Sequence, residues 1–218
     1  MRQALALVGV TLLSTVALAN RCDVAPAFAG TLAEARLTLE AAFTRDQQAR
    51  KSLEGVGDRS AKNSLSPEEQ DKRVKAQIAV DKENLALLDG IVCKYGWPKR
   101  TNVGELAAQA AFLIVQHAAL PVQEQYVPLL KAAVETKEAD AAFLATLEDR
   151  INVRNGRPQQ YGSQLCLRAD GRYAWRALAE EDEAKLDAVR ASIGLGSIKQ
   201  YAAEIGAVYA PPSKLGCQ

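Results

Sequence analysis

The chain has 218 residues, with 27 basic and 26 acidic side chains and a formal net charge of +1. Balanced charge without a basic block excludes the positively charged surface that a nucleic-acid partner requires. Once a predicted leader is set aside, the remaining length suits one hydrophobic core and is short for two.

The first 19 residues have the composition of a secretory signal peptide. A short basic start precedes an apolar run, which ends in small residues at the positions that signal peptidase reads, Ala17 and Ala19. We predict cleavage before Asn20. The apolar run is shorter than the roughly 20 residues that span a bilayer, which argues against a retained anchor. The expected product is one periplasmic or secreted domain, residues 20–218, without membrane association.

Hydrophobic residues recur at helical spacing through most of the chain, which predicts a mainly α-helical domain of bundle-like or orthogonal architecture. Ser66, Pro67 and Glu69 form a capping-box start for the second helix. Residues 20–65 are therefore expected to form an amino-terminal helix and loop, and residues 66–218 the core of the same domain. The predicted helices span residues 27–54, 66–94, 102–121, 122–137 and 140–153, followed by two short helices around residues 186–193 and 198–205.

The spacing changes near residues 163–178, where one small β-hairpin is predicted. Asp170-Gly171 lies between short apolar runs, and this dipeptide favours the tight turns that join antiparallel strands. Neither an internal repeat nor a linker between domains is evident in the sequence.

Four cysteines after an export signal indicate two disulfides. Zinc is the rival interpretation, but no pair has the Cys-x-x-Cys spacing. Of the possible pairings we favour Cys22 with Cys93 and Cys166 with Cys217. The reason is that two long antiparallel helices bring the start of the first beside the end of the second.

His117 is the only histidine, and helical projection places it near the centre of an apolar helix, on the buried face. A group that titrates near neutrality inside a core needs a polar partner. The preceding helix offers Asp81, which falls within a stripe of apolar residues, so two apolar stripes each contain one polar group and a buried polar site is predicted. The first stripe consists of Val103, Leu106, Ala107, Ala110, Leu113 and Ile114, and the second of Ile78, Leu85, Leu88 and Val92.

The segment from Asp81 to about Ala203 resembles an uncharacterised bacterial family, a domain of unknown function. In the family pattern an acidic residue follows the histidine by two positions, where this chain has Ala119. The resemblance implies a shared fold and a shared site, and it implies no known reaction. The motifs that carry it are Asp81-x-x-Asn84, Gly96-Trp97-Pro98, Val103-Gly104, Gln116-His117, Asp149-Arg150, Gly156-x-x-Gln159-x-Tyr161-Gly162-Ser163-Gln164, Leu186-Asp187, Arg190 and Gly194-Leu195.

Two interpretations of these polar residues are open. In the first, they form an active site, in which His117 is the general acid or base, Asp81 orients its ring, and Arg150 binds an anionic group of the substrate. In the second, the same groups form a satisfied network that only organises the core. Further candidate ligand contacts are Asn84, Gln116, Asp149, Gln159, Tyr161 and Gln164.

Asp149 and Arg150 are adjacent on a predicted helix and point about 100° apart, so they do not simply pair with each other. We expect both to anchor the glycine-containing loop at residues 156–164. The alternative is that one anchors the loop while the other faces a cleft.

No metal site and no cofactor is predicted. Asp81, His117 and Asp149 would supply one imidazole and two carboxylates, whereas zinc and iron sites typically use more imidazole or thiolate. The sequence also lacks a phosphate-binding loop or a dinucleotide fingerprint. The expected partner is a small ligand. The competing class is a non-catalytic envelope protein that uses the charged segment 20–65 to bind another protein.

Overall fold

The fold was analysed in a computed structural model, which describes residues 21–54, 56, 65–167 and 173–204. The described part consists of eight helices and one two-stranded hairpin, which confirms the predicted mainly α-helical class. The predicted signal segment, the Asp170-Gly171 turn and Cys217 lie outside the described residues. The elements are α1 (Leu32–Lys51), α2 (Pro67–Tyr95), α3 (Arg100–Val103), α4 (Glu105–His117), α5 (Leu120–Glu135), α6 (Ala141–Arg154), β1 (Leu165–Leu167), β2 (Tyr173–Trp175), α7 (Glu183–Ala191) and α8 (Ile198–Glu204).

The chain divides into two compact units, one up to Ala133 and one from Val134. In the first unit, α1 packs against α2 and α4. In the second, the β1–β2 hairpin is antiparallel, and Leu165 pairs with Trp175. Across the described ranges, no helix has the length and apolar character needed to cross a membrane.

Side-chain caps define where the long helices begin. The hydroxyl of Ser66 accepts a hydrogen bond from the Glu69 backbone, which confirms the predicted start of α2. The Glu69 carboxylate accepts from Arg73 rather than closing a capping box. A complete capping box is found instead at α1, between Thr31 and Glu34, where the sequence analysis did not predict it. These polar caps satisfy backbone donors that a helix cannot pair internally.

Replacing Glu34 by glutamine is expected to lower the melting temperature more at pH 7 than at about pH 3. Hydrogen bonds from Thr31 hold the pKa of the Glu34 carboxyl below its ordinary value. A carboxylate with a lowered folded-state pKa stabilises the fold above its unfolded pKa, and this contribution is lost as the pH falls through the folded-state pKa. Thermal unfolding followed by circular dichroism at the two pH values tests this. A deficit of equal size in acid would contradict it.

The buried stripe of α2 is more polar than predicted. Gln77, Asn84 and Leu88 are buried, while Ile78 is 58% exposed. Asp81 lies on the same face as these buried residues, one helical turn from Gln77. The prediction that Asp81 interrupts a buried stripe is therefore confirmed, but the prediction that Ile78 belongs to that stripe is wrong.

His117 is the last residue of α4. The prediction that it lies near the centre of a longer helix is therefore wrong. The predicted helix is interrupted at Gly104, whose φ of +82° favours glycine, and it ends where Ala118 is extended. Leu106, which was predicted to be buried, is exposed. His117 thus lies in the last turn of α4, where positive charge is favoured.

The amino-terminal segment is attached to α2 by covalent and polar contacts. Cys22 and Cys93 form a disulfide, which confirms that predicted pair. Next to it, the Arg21 guanidinium forms an ion pair with the carboxylate of Asp89. The hydroxyl of Tyr126 donates to the same carboxylate at 2.6 Å. Burial, together with the hydrogen bond and charge of Asp89, raises the pKa of Tyr126 far above its ordinary value.

The core of the second unit is small and apolar. It contains residues of β2, α7 and α8 and the segments that join them, namely Trp175, Leu178, Leu186, Ile198 and Ala202. Gly162 has a φ of +67°, and a Cβ atom built there would lie 2.8 Å from Cδ1 of Ile198. A larger side chain at this position would therefore meet both backbone strain and the packed core.

Candidate functional site

The imidazole of His117 contacts a buried carboxylate from α1. Nδ1 of His117 lies 2.9 Å from Oδ1 of Asp46, and only 4% of the Asp46 side chain is exposed. Gln47 donates a hydrogen bond to the other oxygen of this carboxylate, at 2.9 Å. Among the described residues no hydrogen-bond partner is found for Nε2 of His117. The ring is thus fixed by one nitrogen while the other remains available.

Arg50 connects Asp46 to a second carboxylate. It lies one turn after Asp46 on α1, with Nε 3.4 Å from Oδ1 of Asp46. Its Nη2 donates to Oδ1 of Asp81 at 2.5 Å. Gln77 donates to the same Asp81 oxygen at 2.9 Å. The result is a polar cluster of Asp46, Arg50, Asp81 and His117, which we call the α1–α2–α4 cluster.

The charges in this cluster favour an ionised Asp46. Burial by itself would raise the pKa of the Asp46 carboxyl. The hydrogen bond and charge of His117, the charge of Arg50 and the hydrogen bond from Gln47 together outweigh burial, so the pKa lies below its ordinary value. The His117 ring therefore faces a carboxylate anion.

One side of the cluster is accessible to solvent. The side chain of His117 is 17% exposed, that of Asp81 23%, and that of Arg50 31%. Asp46 lies beneath them and is almost fully buried. A small molecule could therefore approach the imidazole, while the carboxylate that holds its other nitrogen stays shielded from water.

The sequence analysis predicted two of these four residues. His117 and Asp81 are brought into one cluster, as expected from their positions on two buried stripes. The carboxylate that contacts the ring nitrogen is Asp46, however, whereas Asp81 contacts Arg50. Asp46 and Arg50 were not identified as candidates in the sequence, and their i, i+4 spacing was the signal that could have identified them.

Two further candidates lie in the same unit. Asn84 is buried, accepts from Arg45 at 2.9 Å and donates to the Ala42 carbonyl at 3.4 Å. Gln116 is also buried, and its carbonyl accepts from the Gln123 side chain at 2.8 Å. These contacts connect helices, and a role of either side chain in ligand binding stays a prediction.

In the second unit Asp149 anchors the loop that follows α6. Its fully buried carboxylate accepts from the backbone N–H groups of Gln160, Tyr161 and Ser163, at 2.6 to 3.2 Å, and from the Ser163 hydroxyl at 2.9 Å. This confirms that one member of the Asp149-Arg150 pair anchors the loop. Arg150 is half-buried in α6, and its proposed contact with an anionic group stays a prediction.

The remaining loop candidates also make internal hydrogen bonds. Gln159 is buried, its amide group donates to the carbonyls of Gln164 and Arg176, and its oxygen accepts from the Gln164 backbone. The Tyr161 carbonyl accepts from buried Arg190. Burial and nearby carboxylates raise the pKa of the Tyr161 hydroxyl. The loop is thus held by polar contacts of the kind that organise a fold.

The described structure is that of a mainly helical protein with a carboxylate–imidazole–guanidinium cluster in its first unit and a polar-anchored loop in its second. The chain belongs to the family of unknown function DUF6624, whose sequence pattern matches residues 44–212. The match includes every residue of the α1–α2–α4 cluster and begins 37 residues before Asp81 (81 − 44). Neither a curated protein nor a solved structure shows significant similarity to this chain.

Proposed function

We propose that the α1–α2–α4 cluster carries out hydrolase-like acid/base chemistry on a small ligand, with His117 as the general base. The observation that carries this proposal is the 2.9 Å contact between Nδ1 of His117 and Asp46. A carboxylate at one ring nitrogen orients the imidazole. Of the two neutral tautomers, it favours the one whose proton lies on that nitrogen. The lone pair on Nε2 is then available for a proton from water or from a ligand hydroxyl.

The surroundings of His117 suit the imidazolium that this proton transfer creates. The Asp46 carboxylate next to the ring stabilises the new positive charge, as does the carboxyl end of α4. Arg50 contributes indirectly, because its guanidinium contacts both Asp46 and Asp81 and offsets the repulsion between these neighbouring anions. In this scheme Asp46, Asp81 and Arg50 are positioning residues, and only His117 touches the ligand.

We also propose that the protein acts outside the cytoplasm. Disulfides persist in oxidising compartments, and the Cys22–Cys93 bond is present. The signal-peptide composition of the first 19 residues supports the same location.

In the free protein, neutral His117 is expected to carry its proton on Nδ1. Because the chain has one histidine, the imidazole nitrogen signals in a ¹⁵N NMR spectrum of untagged protein belong to this residue alone. Long-range ¹H–¹⁵N correlation above the imidazole titration distinguishes a protonated nitrogen from one with a free lone pair. We expect a protonated Nδ1 and an unprotonated Nε2.

Variants connect the tautomer to the function. Asp46→Asn removes the charge and offers either an acceptor or a donor to the ring, so a mixture of tautomers is expected. Asp71→Asn is the matched control, because Asp71 is exposed on α2 and pairs with Lys75. Hydrolysis of p-nitrophenyl esters should be lost in His117→Gln and retained in Asp71→Asn. A proton on Nε2 in the wild-type protein would overturn the general-base role.

A further inference from the structure

We propose that Asp46, Asp81 and His117 form a binding site for a divalent metal ion, and that Arg50 takes the place of this ion in the metal-free protein. Each of the three residues offers a ligand atom, and these atoms lie within 4.8 Å of one another. All three belong to the first unit and come from α1, α2 and the end of α4. A metal site goes beyond the proposed base chemistry, because both carboxylates bind the ion directly instead of only positioning His117.

The spacing of the ligand atoms suits a single ion. Carboxylate oxygens and imidazole nitrogens lie about 2.0–2.2 Å from a bound zinc ion, so the ligand atoms of a tetrahedral site are separated by roughly 3.4 Å. The three ligand atoms all lie within 4.8 Å of one another, so side-chain movements on the order of 1 Å bring them to this spacing. The 2.9 Å separation between Nδ1 of His117 and Oδ1 of Asp46 also suits two adjacent ligands.

The amide groups around the carboxylates support the assignment. Gln47 and Gln77 donate to Asp46 and Asp81 respectively, in the manner of outer-shell groups that orient metal ligands. Gln77 is only 4% exposed, and its Oε1 is buried without a hydrogen-bond partner in the part of the chain that the structure describes. A buried amide oxygen of this kind costs free energy unless it finds a donor. A water molecule bound to the ion would provide that donor.

Arg50 explains how two carboxylates remain close together without an ion. Its guanidinium contacts both of them, yet its Nε is buried without a hydrogen-bond partner. The pairing with Asp46 is therefore incomplete. Because the side chain is 31% exposed, it can turn toward solvent when an ion neutralises Asp46 and Asp81. Arg50 and the ion consequently compete for the same carboxylates.

Carboxylates suit Mn²⁺ and imidazole suits Zn²⁺, so one imidazole and two carboxylates can hold either ion, although zinc sites typically contain further imidazole or thiolate ligands. A metal ion binds Nδ1 of His117 only when that nitrogen carries no proton. The proton of the neutral ring then lies on Nε2. The metal-bound protein and the general base are therefore alternative states of one imidazole. Metal binding and the proton position in the free protein are separate measurements, so either proposal can fail without the other.

The test is a titration of untagged protein with ZnCl₂, followed by the ¹⁵N signals of the single histidine. We expect saturation at one ion per chain, with Nδ1 changing from protonated to metal-bound and Nε2 becoming protonated. MnCl₂ should broaden the same signals. Asp81→Asn should weaken Zn²⁺ binding at least about tenfold, since loss of even an outer-shell partner costs about 10- to 100-fold.

Arg50→Gln provides the decisive comparison, because removing the competing cation should strengthen Zn²⁺ binding. Arg36→Gln is its matched control, since Arg36 forms an exposed i, i+4 pair with Glu40 on the same helix. Asp71→Asn is the control for Asp81→Asn, and both controls should bind Zn²⁺ like the wild type. Unchanged histidine signals, or equal binding by Asp81→Asn and the wild type, would overturn the metal site. Weaker binding by Arg50→Gln in a folded protein would overturn the competition.

Discussion

Replacing Asp149 by alanine is expected to destabilise the second unit by roughly 3 kcal/mol or more, because a hydrogen bond to a charged group contributes about 1.5–3 kcal/mol and several are lost together. The carboxylate accepts from three backbone N–H groups and from one hydroxyl of the loop. Because Asp149 is fully buried, water cannot replace these contacts without opening the loop. Asparagine should also be destabilising, since its NH₂ group would face other donors.

Tryptophan fluorescence can measure this effect unit by unit. The chain has two tryptophans, both buried, with Trp97 in the first unit and Trp175 in the second. In a Trp97→Phe background, urea unfolding followed through Trp175 reports the second unit. Asp182→Ala is the matched control, because this exposed helix cap should cost only about 1 kcal/mol. Equal losses in the two variants would show that Asp149 does not hold the loop.

The helices and the hairpin were predictable because their signals are local. Ser66 and Asp140 cap helices where expected, and apolar spacing defines most of the long helices. The break at Gly104 was missed because one glycine does not end a strongly apolar pattern, whereas its backbone conformation here does. Local sequence signals thus predict that a helix is present more reliably than they predict the residues at which it begins and ends.

The site was only partly predictable, because its geometry depends on how helices are rotated against one another. A charged residue is usually solvated, so the helical pattern of α1 gives no reason to select Asp46 and Arg50 as site residues. In the structure their face of α1 meets α2 and α4, and the charges pair with Asp81 and His117. A periodic pattern identifies an apolar face, but it does not show when a polar face is buried against polar partners.

The stripe of α2 illustrates the same limit. The predicted stripe contained Ile78 and Leu85, but the buried positions one residue earlier are occupied by Gln77 and Asn84. Leu88 and Val92 of the predicted stripe are buried, so the observed face overlaps the predicted one and includes two amides in addition. Hydrophobicity alone does not identify these amides, because they are stabilised by specific hydrogen bonds that the sequence does not display.

Replacing both Cys22 and Cys93 by serine is expected to destabilise the first unit by about 4 kcal/mol, from the loop-closure entropy of a long cross-link. The two cysteines are 71 residues apart, so the disulfide restricts the unfolded chain strongly. Unfolding in guanidinium chloride, followed through Trp97 in a Trp175→Phe background, measures the loss. Purified wild-type protein should carry the bond, and its reduction should reproduce the loss. A change below about 1 kcal/mol would contradict the entropic estimate.

The same disulfide should also support the neighbouring ion pair. It holds the segment that carries Arg21, so that the guanidinium stays near Asp89 and Tyr126. Without the cross-link, ordering this segment costs additional entropy, and the ion pair should contribute less. Arg21→Gln should therefore destabilise the oxidised protein more than the double-serine variant, and a double-mutant cycle measures the difference. Equal effects in both backgrounds would mean that the ion pair holds the segment independently of the covalent bond.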